Sequence, residues 1–288
     1  MEITWLIILI AVIVYTIFRG KSRKKTLYSD DAAGELQYNK EVGENIHLSS
    51  PLVYYGENLD FSDEVIRKVL IKYFPYFNRL LPPDQDKFLS RLRKFIKTKI
   101  FIIHDVKGYR EMPILISASS IQLTFGLDKF LMPHFNIIQI YPQEFIALEP
   151  MRILIGNVSG NTINIAWKQF LEGYKNRFDS SNVGLHEMAH ALYYQNFETE
   201  EYIDRNFKNC FQVFTALGDR IYSKEKERSI GLYSDYAMKN FQEFWAESIE
   251  LFFENPQRLN SHYPELYNIL CDLLCQDPLR YPYHDYSV

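Results

Sequence analysis

Two histidines four residues apart, with a glutamate directly after the first, occur in the stretch GLHEMAHALYYQ at 184–195. An α-helix advances about 100° per residue, so positions i and i+4 share a face one turn apart. His186 and His190 can therefore turn an imidazole nitrogen each toward one metal ion. Glu187, displaced by one residue, can reach a water that the metal activates without itself binding the ion. This is the physical content of H-E-x-x-H, two zinc ligands and a general base. The competing reading is a helix whose two histidines make unrelated hydrogen bonds, and a third ligand would decide between them.

The metzincin continuation would put a glycine at the place of Tyr193 and a histidine at the place of Asn196, so that subclass is excluded. A glutamate on a later helix is the other common source. KNFQEFWAESIELFFENP at 239–256 carries Glu243, Glu247 and Glu250 in an i, i+4, i+7 series, which sets all three on one face. A carboxylate stripe on an otherwise aromatic and apolar helix is costly to bury unless something positive faces it. Asn240 and Glu243 also read as N-x-x-E, a capping box in which Glu243 would fold back onto its own helix end. Spacing alone leaves the third ligand open among the three glutamates.

The elements that must position these residues are partly legible. DSSN at 179–182 supplies caps for the histidine helix. Asn255-Pro256 ends the glutamate helix. Upstream, LDFSDEVIRKVLIKYF has helical spacing with Asp60 or Ser62 as cap and Pro75 as a break. Residues 84–99 form a second amphipathic helix, and the small-residue run PILISASSIQLTFGL predicts a closely packed one. IFIIHD (100–105), IIQIYP (137–142), MRILIG (151–156) and NTINIAW (161–167) are strand-like. Ser159-Gly160-Asn161 predicts that the last two form a hairpin. Helical patterns dominate from 168 onward, so the expected fold is α+β and helix-rich.

The net charge of −4 gives no basis for nucleic-acid binding. Three cysteines are too few and odd in number for a disulfide framework, and Cys271 and Cys275 lie in an apolar helical pattern as core thiols would. That usage fits a reducing compartment. Residues 3–18 are uncharged and are followed at once by Arg19, Lys21, Arg23, Lys24 and Lys25. A cleaved leader would want a basic start and a small-residue cleavage site, whereas the chain begins Met1-Glu2. The expectation is a single-pass anchor with the rest of the chain cytoplasmic. It divides the chain into an anchor at 1–20, a basic juxtamembrane segment and linker at 21–55, and one domain at 56–288.

Over roughly 56–270 the chain resembles the Mlc titration factor A family of zinc metallopeptidases. IIQIYPQEF (137–145) is similar to a family strand that ends in YP and is followed by EF. INIAW and then NVGLHEMAH (182–190) resemble the run leading into N-V-V-L-H-E-F-A-H. QEFWAESIELFFENP resembles A-E-x-F-A-x-x-S-E-x-F-F-x-x-P. The resemblance implies a zincin-like domain with His186, His190 and Glu243 as zinc ligands and Glu187 as catalytic base. It further implies that Glu250 supports the ligands from behind or serves the fold, and that Tyr236 donates to the oxyanion; Glu247, on the same helix face, is a further candidate for supporting the ligands. Two departures stand out: Leu192-Tyr193 where the family has Leu-Asp, and Phe241-Gln242 where it has Pro-Ala.

The expected activity is hydrolysis of peptide bonds in a peptide or protein substrate, by a zinc-activated water with Glu187 as base. The alternative is a membrane-tethered regulatory protein that binds a partner such as a transcriptional repressor, its zinc site structural or weakly active. The three cysteines lie away from the histidine motif, which favours an open catalytic site over a closed structural one.

Overall fold

The computed structural model describes residues 50–105, 111–148, 151–175, 181–227 and 231–280. The anchor read at 3–18, the basic cluster and most of the linker lie outside the described residues. Among the described residues no helix is long and apolar enough to cross a membrane.

Five strands form a mixed sheet in the order β1-β2-β3-β7-β6. They are β1 Leu52–Tyr55, β2 Ile100–Ile103, β3 Ile137–Tyr141, β7 Thr162–Ala166 and β6 Gly156–Ser159. The three inner strands run parallel, while β1 and β6 pair antiparallel at the two edges. β7 is buried at Ile163, Asn164, Ile165 and Ala166, as an inner strand covered on both faces should be. β1 falls in the segment that composition assigns to the linker. Its four residues alternate Leu52 and Tyr54 toward the core, too short a run to stand out beside a polar tether.

The predicted hairpin is corrected in its first strand. The turn at Gly160 and Asn161 joins β6 to β7, with Ser159 opposite Thr162. Gly160 takes φ 56, where a side chain would be strained. Met151–Leu154, here β5, pairs instead with β4 (Phe145–Leu148) in a separate two-stranded ribbon. The single bend residue Ile155 between β5 and β6 re-aims the chain from one ladder to the other.

The helices are α1 (Asp63–Tyr73), α2 (Pro75–Arg79), α3 (Pro82–Lys97), α4 (Glu111–Thr124) and α5 (Trp167–Lys175). They continue with α6 (Val183–Phe197), α7 (Arg205–Lys226), α8 (Phe241–Glu254), α9 (Pro256–His262) and α10 (Pro264–Leu274). The Ser62 hydroxyl caps α1, and Pro75 opens α2 at the predicted break. α4 is buried along its whole length from Met112 to Thr124, with Ser117, Ser119 and Ser120 letting neighbours approach closely. It connects β2 to β3 and packs on α1, α3 and α6.

α6 is the central element, in contact with α4, α5, α8, β6 and β7. It is held to α8 by Trp245, which is fully buried and donates its indole N–H to the Ala189 carbonyl at 2.9 Å. Phe211 and Phe214 meet the Trp245 ring edge-on, at centroid separations of 5.0 and 5.2 Å. Edge-to-face pairs of this kind favour one ring arrangement over others. The aromatic block fixes the register of α6 against α8, and that register brings the histidines to the glutamates.

Candidate metal centre

α6 begins where the Asn182 side chain accepts from the Leu185 amide at 3.0 Å. Its first turn then carries His186, and its second His190, toward the N-terminal end of α8. α8 is likewise capped, by Asn240 accepting from the Glu243 amide at 2.9 Å. Only half of the predicted capping box forms, because the Glu243 carboxylate turns away from its own helix end and toward the histidines.

His186 Nε2 lies 3.0 Å and His190 Nε2 lies 3.3 Å from Glu243 Oε2, and the two ring nitrogens are 3.1 Å apart. One ligand atom from each of the three residues falls within 4.8 Å of the others, a set able to hold a metal ion. On the far side of the ring, His186 Nδ1 donates to Glu250 Oε1 at 2.7 Å. That bond commits the Nδ1 proton, so the nitrogen that can offer a lone pair to a metal is Nε2, which faces His190 and Glu243. Two nitrogen lone pairs and a carboxylate oxygen converging at such distances repel unless a proton or a cation lies between them. Two imidazoles and one carboxylate suit zinc, with a coordination position left open.

The same crowding sets the ionisation of the group. Burial would lower the His186 pKa, but hydrogen bonds to Glu243 and Glu250 overcome it and hold it well above its usual value. Burial lowers His190, and the neighbouring His186 adds to the effect against the pull of Glu243. Burial works to raise Glu243, yet its hydrogen bonds with the two histidines hold it far below the usual carboxylate range.

Glu187 is 5% exposed, and burial pushes its pKa up to about 7, helped by Glu243 and Glu250 and opposed by His186. Its Oε2 has no hydrogen-bond partner among the described residues. A buried carboxylate oxygen left unpaired is costly, and catalytic use is one of the few reasons to keep it. A base whose pKa sits near neutrality suits proton transfer. Room for it comes from a residue that the sequence patterns did not flag. A Cβ on Gly156 would come within 2.4 Å of Glu187 Oε1, so a side chain here would displace the glutamate or β6. A glycine closing an apolar strand-like run is the one signal that could have pointed to the close approach.

The remaining glutamates part company. Glu250 accepts from His186 and also from the Asn182 amide at 2.5 Å, tying the His186 ring to the start of α6. Glu247 touches neither histidine; it accepts from the Ser234 amide at 2.7 Å and the Ser234 hydroxyl at 2.5 Å. The Tyr236 hydroxyl donates to Glu243 Oε1 at 3.3 Å, and its ring centroid is 6.1 Å from that of His186. Burial and the carboxylates of Glu243 and Glu187 push the Tyr236 pKa up to about 12, which keeps the phenol a donor at neutral pH. Tyr193, at the first departure from the family pattern, stacks on Phe197 at 4.9 Å. Among the described residues His190 Nδ1 has no hydrogen-bond partner to match the Glu250 contact of His186.

Comparison with known proteins agrees with the geometry. An uncharacterized protein, slr2042, of Synechocystis sp. is 24% identical over 224 residues, which cover 71% of this chain and 81% of that protein. A family model described as glucose-regulated metallo-peptidase M90 matches residues 57–274, nearly the span over which the sequence resembles the Mlc titration factor A family. The match takes in α6, α8 and every strand but β1, and the chain belongs to the M90 family of glucose-regulated metallopeptidases.

Proposed function

We propose that the chain is a zinc-dependent peptidase whose metal is held by His186, His190 and Glu243. The observation that carries this reading is the convergence of three ligand atoms within 4.8 Å beside a buried Glu187 whose Oε2 has no partner among the described residues. Bound zinc would supply a Lewis acid that acidifies water and polarises a substrate carbonyl. Glu187 takes the proton from the attacking water and later delivers it to the leaving amine. Tyr236 donates to the oxyanion as the carbonyl becomes tetrahedral. Glu250 holds His186 in the tautomer and orientation that a ligand needs. The substrate is a peptide or protein.

The uncharged run at 3–18 and the cations that follow it support anchoring of this domain on the cytoplasmic face of a membrane. The domain's chemistry does not depend on that placement.

Replacing Glu187 with Gln separates ligation from catalysis, since the carboxamide keeps the shape of the side chain and loses the base. The variant should bind zinc as the wild type does and lose peptide hydrolysis by about 100-fold or more. Wild-type turnover in metal-loaded Glu187→Gln protein would refute the assignment of the base.

A further inference from the structure

Glu247 lies one turn beyond Glu243 on the same face of α8, yet its carboxylate is spent on a neighbouring segment. Residues 231–240 cross from the end of α7 to the start of α8 and carry Tyr236 at their middle. Two glutamates hold this arm. Glu225, buried near the end of α7, accepts from the Leu232 amide at 2.7 Å and the Tyr233 amide at 3.3 Å, and from the Tyr263 hydroxyl. A Cβ on Gly231 would come within 2.1 Å of Glu225 Oε2, so the arm lies directly on that carboxylate. Nearer the tyrosine, Glu247 takes both the amide and the hydroxyl of Ser234, and the same hydroxyl accepts from the Ala237 amide at 3.3 Å. Tyr236 sits inside the turn that these contacts close.

We infer that Ser234 and Glu247 form a clamp that positions Tyr236 for the reaction. The inference rests on the role proposed above for Tyr236. Ser234, Asp235 and Tyr236 are exposed, so their backbone gains freedom when these bonds are lost, and a misplaced donor loses most of its effect. The i+4 spacing lets one helix face supply a metal ligand and, one turn on, the post that sets the tyrosine opposite it. Ser234 and Glu247 are positioning residues, since neither reaches the metal ligands.

The test is a double-mutant cycle in the full-length, metal-loaded chain with Ser234→Ala, Tyr236→Phe and both together, plus Ser234→Thr as the conservative variant. Ser234→Ala should lower kcat on the order of 10- to 100-fold with KM and metal content little changed. Ser234→Thr should restore most of the rate, and Ser234→Ala should cost nothing further once Tyr236 is Phe. Glu247→Gln supplies a second route to the same result, with the serine intact. A readout independent of turnover is hydrogen exchange in the metal-free protein. Amides at 234–237 should exchange faster in Ser234→Ala while those held by Glu225 and those of α6 and α8 keep their protection. Equal losses from Ser234→Ala in both backgrounds, or unchanged exchange in the arm, would overturn the clamp alone. Full kcat in Tyr236→Phe would overturn the clamp and the role of Tyr236 together.

Discussion

His186 Nδ1 and Glu250 Oε1 are 2.7 Å apart, joining the first histidine of α6 to the third glutamate of the α8 stripe. The bond decides which nitrogen of His186 is available to a metal, and Glu250 is fixed in turn by the Asn182 amide.

Glu250→Gln should therefore weaken zinc binding without removing any ligand. A carboxamide accepts a weaker hydrogen bond and can present its N–H₂ to the ring instead, so the Nδ1 proton is no longer secured. The expected loss of metal affinity is about 10- to 100-fold, measured by competition with a chromophoric chelator. An unchanged affinity would mean that Glu250 serves only the fold.

Gly156→Ala places a methyl group where Glu187 now lies. Either β6 or the glutamate must shift, at a cost of about 1–3 kcal/mol in stability. Hydrolysis should fall steeply while zinc content stays at the wild-type level, because the nearest atoms to the new methyl all belong to Glu187 and none to a ligand. A fully active Gly156→Ala protein would show that the position of Glu187 is not critical.

Lys99 gives a pH dependence remote from the site. It is 2% exposed, donates to the carbonyls of Leu131 and Met132 at 2.8 and 2.9 Å, and burial lowers its pKa to about 7. In the unfolded chain the same amine titrates near 10.5. Between these values the unfolded state binds more protons than the folded one, so stability rises with pH across that window. The contribution is fully present above 10.5 and is lost as pH falls to about 7. The slope from this one group is at most about 1.4 kcal/mol per pH unit. Urea midpoints measured from pH 7 to 9 should climb in the wild type and climb less in Lys99→Met. Equal slopes in the two proteins would place the lysine in a wetter setting than the structure gives it.

What could be read from the sequence followed local rules. The i, i+4 histidines, the Asn182 cap and the Pro75 break are each set by neighbours within a turn, and all three stand as expected. The choice among Glu243, Glu247 and Glu250 could not be made locally. The three share a stripe about 10 Å long at 1.5 Å per residue, and they differ only in what lies opposite. The histidines face the first, the 231–240 arm the second, and the Nδ1 side of His186 the third. The family resemblance selected Glu243 where spacing had not. The β4–β5 ribbon was missed for a related reason: Phe145–Leu148 is a short run whose partner is decided by pairing rather than by its own composition. Gly156 carried no periodic signal at all, since its importance lies in a side chain 31 positions away, 187 − 156.

The peptidase reading stands or falls on whether His186, His190 and Glu243 bind the zinc through which this chain cleaves peptides. The decisive measurement is the metal content of the purified full-length chain, with hydrolysis of a peptide library followed before chelation, after chelation and after zinc is restored. One zinc per chain is expected, with loss of cleavage on chelation, its return with zinc, and no zinc in a His186→Ala/His190→Ala variant. A wild-type protein that binds no zinc, or cleavage that persists after the metal is removed, would contradict it.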